Sequence, residues 1–500
     1  MKYIITIFLC LAGVGAVLAQ TSSHYNVKDF GATGDGQQSD RRAIQAAIDT
    51  AFAVGGGRVI IPPGRYLSGS IVLKSNITFE LQAGATLIGS GQLEDYQQNP
   101  GFDPHGSTVT RRYLLSAIGA KNVTLCGKGT VDGNGQAFWE PTTDTLRFIR
   151  AKLERPDALL EIADSENVTI RDITMVHSAK WTCHLLHSSN IMIEGVNIFS
   201  NLMAPNSDGI DISGCQQVRI SNCNISTGDD AIVIKTWKNG QVSEDITVIN
   251  CNLMSLCAAL KLGTESYQDF RRITFSNCTV RNSSRLFAIY VRDGATVENI
   301  SISNLIGDTN APLVLNRPLQ LMITRRKADS PLGTIRNVFV DQLLCKTEGR
   351  ILMTADPGGT IENVYLSKIH LDYPFIEDPT PVASQTQSNQ YPQNLPEARA
   401  AKAAMVAYNI KNLNVQQFSI NWPGSAIPKK WQLPLRLENG SFSARHRYDY
   451  QVPKQTELSA FWGRKLTDGE ISAKRLSASS DKIATFDIDQ STIKTNTIDE

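Results

Sequence analysis

A short phrase recurs along this chain, and its spacing leaves few folds open. A polar residue, most often Asn, is followed by alternating β-formers: Asn76-Ile77-Thr78-Phe79, Asn122-Val123-Thr124-Leu125, Asn167-Val168-Thr169-Ile170 and Asn190-Ile191-Met192-Ile193. The phrase continues at Gln217, Asp245, Arg272 and Asn299, with later copies at Asn337, Asn363 and Asn412. Between residues 167 and 299 the steps are 23, 27, 28, 27 and 27 residues. Short strands at a period in the twenties, with no long helix between them, specify stacked coils. Each coil buries its Val, Ile, Leu and Phe against the coils above and below, with strands ~4.8 Å apart. Leucine-rich repeats share the period, but their Leu-x-x-Leu-x-Leu frame is absent. The expected fold is all-β, a right-handed parallel β-helix (solenoid) with an N-terminal capping helix. That helix is expected over Ser39 to Phe52, where Ile44, Ala47, Ile48 and Ala51 share one face. It would cover the first coil, whose strand edges are otherwise unpaired.

The rest of the chain is organised around that solenoid. Residues 1–19 read as a secretory signal, with Lys2, an apolar run from Ile4 to Val17, and Val17-Leu18-Ala19 before Gln20. The run is too short for a membrane span, and no other stretch is apolar enough. The expected location is secreted or periplasmic. Residues 20–432 read as the β-helix domain, with long loops at about 93–148 and 374–399. Beyond about Pro434 the phrase is gone, and 433–500 reads as an extension that packs on the solenoid or stays partly disordered. Eight cysteines follow the signal with no zinc-like spacing, and Cys223, Cys251 and Cys278 fall at matching positions, predicting a buried ladder of free thiols. Several phrase Asn residues fit the glycosylation sequon, but amides bonding the backbone at coil corners are the simpler use. With 49 basic and 48 acidic residues the net charge is +1, and no block of like charge marks nucleic acid or an anionic membrane as a partner.

One pair of segments carries chemistry. Asn206-Ser207-Asp208-Gly209-Ile210-Asp211 is answered by Thr227-Gly228-Asp229-Asp230-Ala231, and 21 residues separate Asp208 from Asp229. One turn of coil then brings Asp208, Asp229 and Asp230 to one corner. Carboxylates held together cannot all ionise freely, so one keeps a raised pKa and can act as an acid. A pair ~6.5–9.5 Å apart suits inverting glycoside hydrolysis. Turn-capping Asp residues and a calcium site are the competing uses. The period places Trp181 and His184 one coil earlier. It places Lys235, Lys261 and Glu265 near the same corners, and Arg285, Tyr290 and Arg292 one coil later. With Asn206 these are the candidate substrate-binding residues. His184 has a plainer role as a hydrogen-bonded coil residue, and Lys235 as a solvated charge.

The segments Val27–Ala32 and Gly55–Tyr66, the coils to about Leu305, and the motifs Asn206-Ser207-Asp208 and Gly228-Asp229-Asp230 resemble family 28 glycoside hydrolases, the polygalacturonase-like pectinases. The resemblance implies an inverting O-glycosyl hydrolase working on a pectic polysaccharide or oligosaccharide, without metal or cofactor. Asp229 would be the general acid, with Asp208 and Asp230 holding and activating water. Two family motifs differ here. The His of a His-Gly pair falls on Ala258, within Cys257-Ala258-Ala259, and an Arg-x-Lys fork becomes Tyr290-Val291-Arg292. That fork grips a galacturonate carboxylate in the family, so its replacement turns the expectation toward a rhamnogalacturonan or modified galacturonan. Arg292 would still hold an anionic sugar, and Tyr290 would stack on an apolar sugar face. A monomer is expected. The alternatives are a calcium-dependent β-helix polysaccharide lyase, with Arg285 or Lys261 as base, and a non-catalytic carbohydrate-binding solenoid.

Overall fold

Alternation within the phrase sets which side chains enter the core. Ile77 and Phe79, Val123 and Leu125, Val168 and Ile170, and their counterparts to Leu413 and Val415 are buried. They stack in parallel register as Val123, Val168, Ile191, Val218, Ile246, Ile273, Ile300, Val338, Val364 and Leu413, one residue per coil. The molecule is a parallel β-helix. The computed structural model describes residues 24–140, 149–152, 154–311, 316–374, 403–421, 459–474, 484–489 and 491–498, with a few isolated positions and the short strands Gln432–Pro434 and Ala444–His446 between them. The expected signal and nearly all of the 374–399 loop lie outside the described residues. Among them, no helix is long and apolar enough to cross a membrane.

Every phrase leader adopts the left-handed region, from Asn76 (φ 62°) through Gln217 (57°), Asp245 (57°) and Arg272 (52°) to Asn412 (55°). That conformation costs most L-residues roughly 1–2 kcal/mol and is least unfavourable for Asn and Gly, which accounts for the Asn-rich phrase. The amides mostly bond one another rather than the backbone: Asn122 Nδ2 donates to Asn76 Oδ1 at 2.8 Å and Asn167 Nδ2 to Asn122 Oδ1 at 2.7 Å. A second run joins Asn337, Asn363 and Asn412 in the same way. The capping helix spans Arg41–Ala53 and buries Ile44, Ala47, Ile48 and Ala51 as expected. The eight described cysteines are free and buried.

One expectation is corrected and another is made more specific. Within 93–148, the strands Tyr113–Ile118, Lys121–Cys126 and Thr130–Asp132 form a regular coil. Among the described residues there, the hairpin Asn99–Phe102 with Thr108–Arg111 and the turn Gly135–Phe138 lie outside that coil. The extension beyond the phrase packs on the solenoid by continuing its stack. Ser459–Lys474 pairs in parallel with Ala403–Asn421, and Ala484–Asp489 and Lys494–Ile498 pair on it in turn. Asp468 (φ 59°) there takes the left-handed corner one coil after Asn412, so the corner persists without its Asn.

One sheet of the solenoid positions the site. Its strands Ala158–Ala163, Trp181–Leu186, Ile210–Ser213, Ile232–Thr236, Ala258–Ser266, Arg285–Val291 and Arg317–Ile323 pair in order. Their inward residues are aliphatic, Cys or Phe. Their outward column runs Glu161, His184, Asp211, Val233, Lys261, Ala288 and Gln320.

Candidate active site

The site forms where consecutive coils enter this sheet. Thr182 N donates to Asp208 O, Gly209 N to Asp230 O and Ala231 N to Ala258 O, each at 2.9 Å, so Asp208 and Asp230 are neighbours on adjacent coils. Two glycines make that approach possible. A Cβ on Gly209 would lie 2.4 Å from Ala231 O, and one on Gly228 would lie 2.3 Å from Leu202 O. Asp208, Asp229 and Asp230 each offer a carboxylate oxygen, all within 4.8 Å of one another.

Two lysines counter this charge. Lys235 Nζ lies 3.2 Å from Asp208 Oδ2 and 2.5 Å from Asp211 Oδ1. Lys261 Nζ lies 2.6 Å from Asp230 Oδ2. Four carboxylates therefore face two ammonium groups. Burial raises the Asp229 pKa to about 7, with the charges of Asp208 and Asp230 adding to it and the two lysines opposing. Burial also raises Asp208, which Lys235 partly holds down, and pushes Asp211 well above the usual carboxylate range. For Lys235, burial works against the charge, but Asp208 and Asp211 outweigh it and hold the ammonium firmly protonated.

Free valence is uneven among these oxygens. Asp230 is fully engaged, with Oδ1 accepting from Ala258 N at 3.2 Å and Oδ2 bound to Lys261. Asp208 Oδ1 is buried and accepts no hydrogen bond from the described residues. Asp229 is the most open of the three. An acidic trio could also hold a divalent cation, but calcium seeks 6–8 oxygens, and two ammonium groups already stand among these carboxylates.

The other candidates divide. Lys235 is buried between Asp208 and Asp211, not a solvated charge, with its Nζ 4.4 Å from the Trp181 ring centroid. Asn206 accepts at Oδ1 from Arg155 Nη2 at 2.9 Å. Arg285 sits one coil beyond Ala258 and donates from Nε to Gln320 Oε1 at 3.3 Å. His184 has no exposed surface: Nδ1 contacts Glu161 at 2.9 Å, Nε2 contacts Ser213 Oγ at 3.0 Å, and its ring stacks on Trp237. It supports the floor and does not face a ligand.

Tyr290 is 1% exposed, and its hydroxyl donates to Gln320 Oε1 at 2.8 Å, so the expected stacking on a sugar is closed off. Arg292 is buried and donates from Nη2 to Arg325 O at 3.1 Å. Glu265 lies nearby, 3.6 Å from Arg326 Nη1, and neither residue reaches the trio's hydrogen bonds. Sequence reasoning missed Asp211 and Glu161. Both alternate with core aliphatics, Ile210 and Ile212 in one case and Leu160 and Ile162 in the other, and that alternation was the signal.

Residues 56–370 match the family model described as glycosyl hydrolases family 28. A "Probable polygalacturonase" of Vitis vinifera is 32% identical over 255 residues, covering 47% of this chain and 50% of that protein. An "Exo-poly-alpha-D-galacturonosidase" of Dickeya chrysanthemi is 29% identical over 252 residues, 41% of each chain. The chain thus spans half or less of the length of these two relatives. Among solved structures, a family 28 exopolygalacturonase of Yersinia enterocolitica superposes with TM-score 0.62 at 20% identity, covering 82% of this chain and 77% of that one. An exopolygalacturonase of Thermotoga maritima gives 0.59 at 23%, covering 70% and 87%. At these identities the likeness establishes the fold.

Proposed function

The chain belongs to glycosyl hydrolases family 28, and on that premise we propose that it hydrolyses a pectin-related polysaccharide or oligosaccharide with inversion at the anomeric carbon. The observation that carries this reading is the surplus of carboxylate over ammonium at one corner. Burial, with the charges of Asp208 and Asp230 adding to it, keeps a proton on Asp229 near neutrality (about 7), while Lys235 and Lys261 pair with Asp208 and Asp230. Asp229 then protonates the glycosidic oxygen as the bond to the leaving sugar breaks. Asp208, through its unengaged Oδ1, takes a proton from the attacking water, and Asp230 orients that water's neighbourhood. As Asp229 gives up its proton Asp208 gains one, so the charge moves within the trio without growing, and Lys235 and Lys261 lie beside Asp208 and Asp230 throughout.

Carboxylate spacing pulls the other way. Oxygens within 4.8 Å fall short of the expected ~6.5–9.5 Å and nearer the retaining arrangement of ~5–5.5 Å. Single displacement is favoured because a covalent step needs a carboxylate oxygen free to approach carbon. Asp230 has none, and the one unengaged oxygen, Asp208 Oδ1, is the one this reading assigns to the attacking water. For the substrate, the engagement of Tyr290 with Gln320 and of Arg292 with Arg325 supports a rhamnogalacturonan or modified galacturonan over plain polygalacturonate.

Asp229→Asn tests the reading. Hydrolysis of pectic oligosaccharides should fall on the order of 10³-fold with binding retained. In the unaltered protein kcat/KM should fall tenfold per unit as pH rises above about 7, because the acid form is the active one. Unchanged turnover by the variant across a pectic panel would sink the assignment.

A further inference from the structure

Beside the trio, on its N-terminal side, lies a cavity of ≈ 760 Å³ whose wall carries Arg112, Lys152, Arg155 and Lys180 against Glu154 and Asp157. Four cations there meet two carboxylates, and the pairing is lopsided. Lys180 Nζ takes Asp157 Oδ1 at 2.9 Å, and Arg112 reaches the exposed Glu154 only at 3.8 Å. Lys152 Nζ donates to a neutral acceptor, Ala137 O, at 2.6 Å. Among the described residues, Arg155 likewise donates to neutral oxygens, those of Ala179 (2.8 Å), Pro205 (3.0 Å) and Asn206 (2.9 Å). Two positive charges are therefore left over on the wall of a concave site, where low-dielectric surroundings focus their field.

The position matters as much as the charge. Asp157 N donates to Arg112 O at 2.7 Å, and Arg112, Asp157 and Lys180 precede the paired residues Tyr113, Ala158 and Trp181 on successive coils. Continued along the stack, that column reaches Ser207 and then Asp229. Lys180 thus stands about two coils, roughly 10 Å, from the acid. Arg155 ties the cavity to the trio directly through Asn206, two residues before Asp208.

We propose that this cavity is a subsite for the carboxylate of a uronic acid unit in the substrate, gripped by Arg155 and Lys152, on the side of the trio opposite to Tyr290 and Arg292. The subsite rests on the pectic reading above. It moves the recognition of acid away from the strand where the family's fork falls and onto Lys152, Arg155 and the end of the neighbouring hairpin. A guanidinium bonded only to neutral oxygens can turn toward a carboxylate without breaking an ion pair.

Calorimetric titration tests it, in the Asp229→Asn protein so that no turnover intervenes, with trigalacturonate and its fully methyl-esterified form as probes. The acid should bind roughly tenfold more tightly than the ester. Lys152→Met, at an exposed position that leaves folding intact, and Arg155→Gln should each erase most of that preference, with affinity for the ester unchanged. Equal binding of acid and ester, or an equal loss for both probes in either variant, would overturn the subsite. The hydrolase reading fails separately: if the unaltered protein releases no sugar from any pectic chain while the acid preference and its loss persist, the subsite stands and the proposed reaction falls.

Discussion

Two clusters of acid lie along the same sheet, joined by the outward column that carries Glu161, His184 and Asp211, and they are built in opposite ways. Glu161 and His184 pair one to one: both carboxylate oxygens meet Nδ1, and Nε2 meets Ser213 Oγ. One coil further on, Asp208, Asp211, Asp229 and Asp230 share two lysines, and Asp208 Oδ1 and Asp211 Oδ2 are left without hydrogen-bond partners among the described residues. Burial is the same in kind at both places. What differs is the balance: a satisfied pair can only hold shape, whereas an overloaded set has a proton it can give and an oxygen it can use. Burial alone does not mark a functional acid.

The comparison can be broken from either side. The largest effect should come from Lys235→Met, which strips two buried carboxylates of their shared cation. Stability should fall by about 3–5 kcal/mol, since removing one partner of a buried pair leaves uncompensated charge. Turnover should fall by on the order of 10²-fold as Asp208 loses the charge it needs as base. Denaturant unfolding and initial rates read both, and a loss under 1 kcal/mol would mean the lysine does not balance the site. A smaller effect is expected from Glu161→Gln. It keeps an acceptor for His184 Nδ1 and exchanges a charged hydrogen bond for a neutral one, a cost of about 1 kcal/mol. Its kcat should stay within roughly threefold of the parent. A collapse in kcat to the level of Asp229→Asn would place Glu161 in the chemistry and erase the distinction drawn here.

Much of this was legible in the sequence. The polar leader and alternating β-formers report the left-handed corner and the inward column that build each coil, so the solenoid could be read from Asn76 to Asn412. The 21-residue step from Asp208 to Asp229 was legible for the same reason. Asp211 was equally available by alternation with Ile210 and Ile212. The C-terminal coil was hidden because Gly469 stands opposite Leu413, where the phrase elsewhere carries its first inward β-former.

The fate of Tyr290 and Arg292 was hidden for another reason. Their partners Gln320 and Arg325 come from the next coil, which is lengthened so that Asn299 and Asn337 stand 38 residues apart, and period counting fails across it. Arg155 and Lys152 belong to a segment with no period at all, and only the folded chain brings them to Asn206.

Proton NMR of the first-formed product from defined pectic oligosaccharides tests the central claim most directly, because it reports which side of the anomeric carbon the water entered. Two acids and an activated water at Asp208, Asp229 and Asp230 predict a new reducing end of inverted configuration, appearing before mutarotation. A product that retains the substrate's configuration would make Asp208 a nucleophile, as the short carboxylate spacing alone suggests, and would contradict single displacement at this corner.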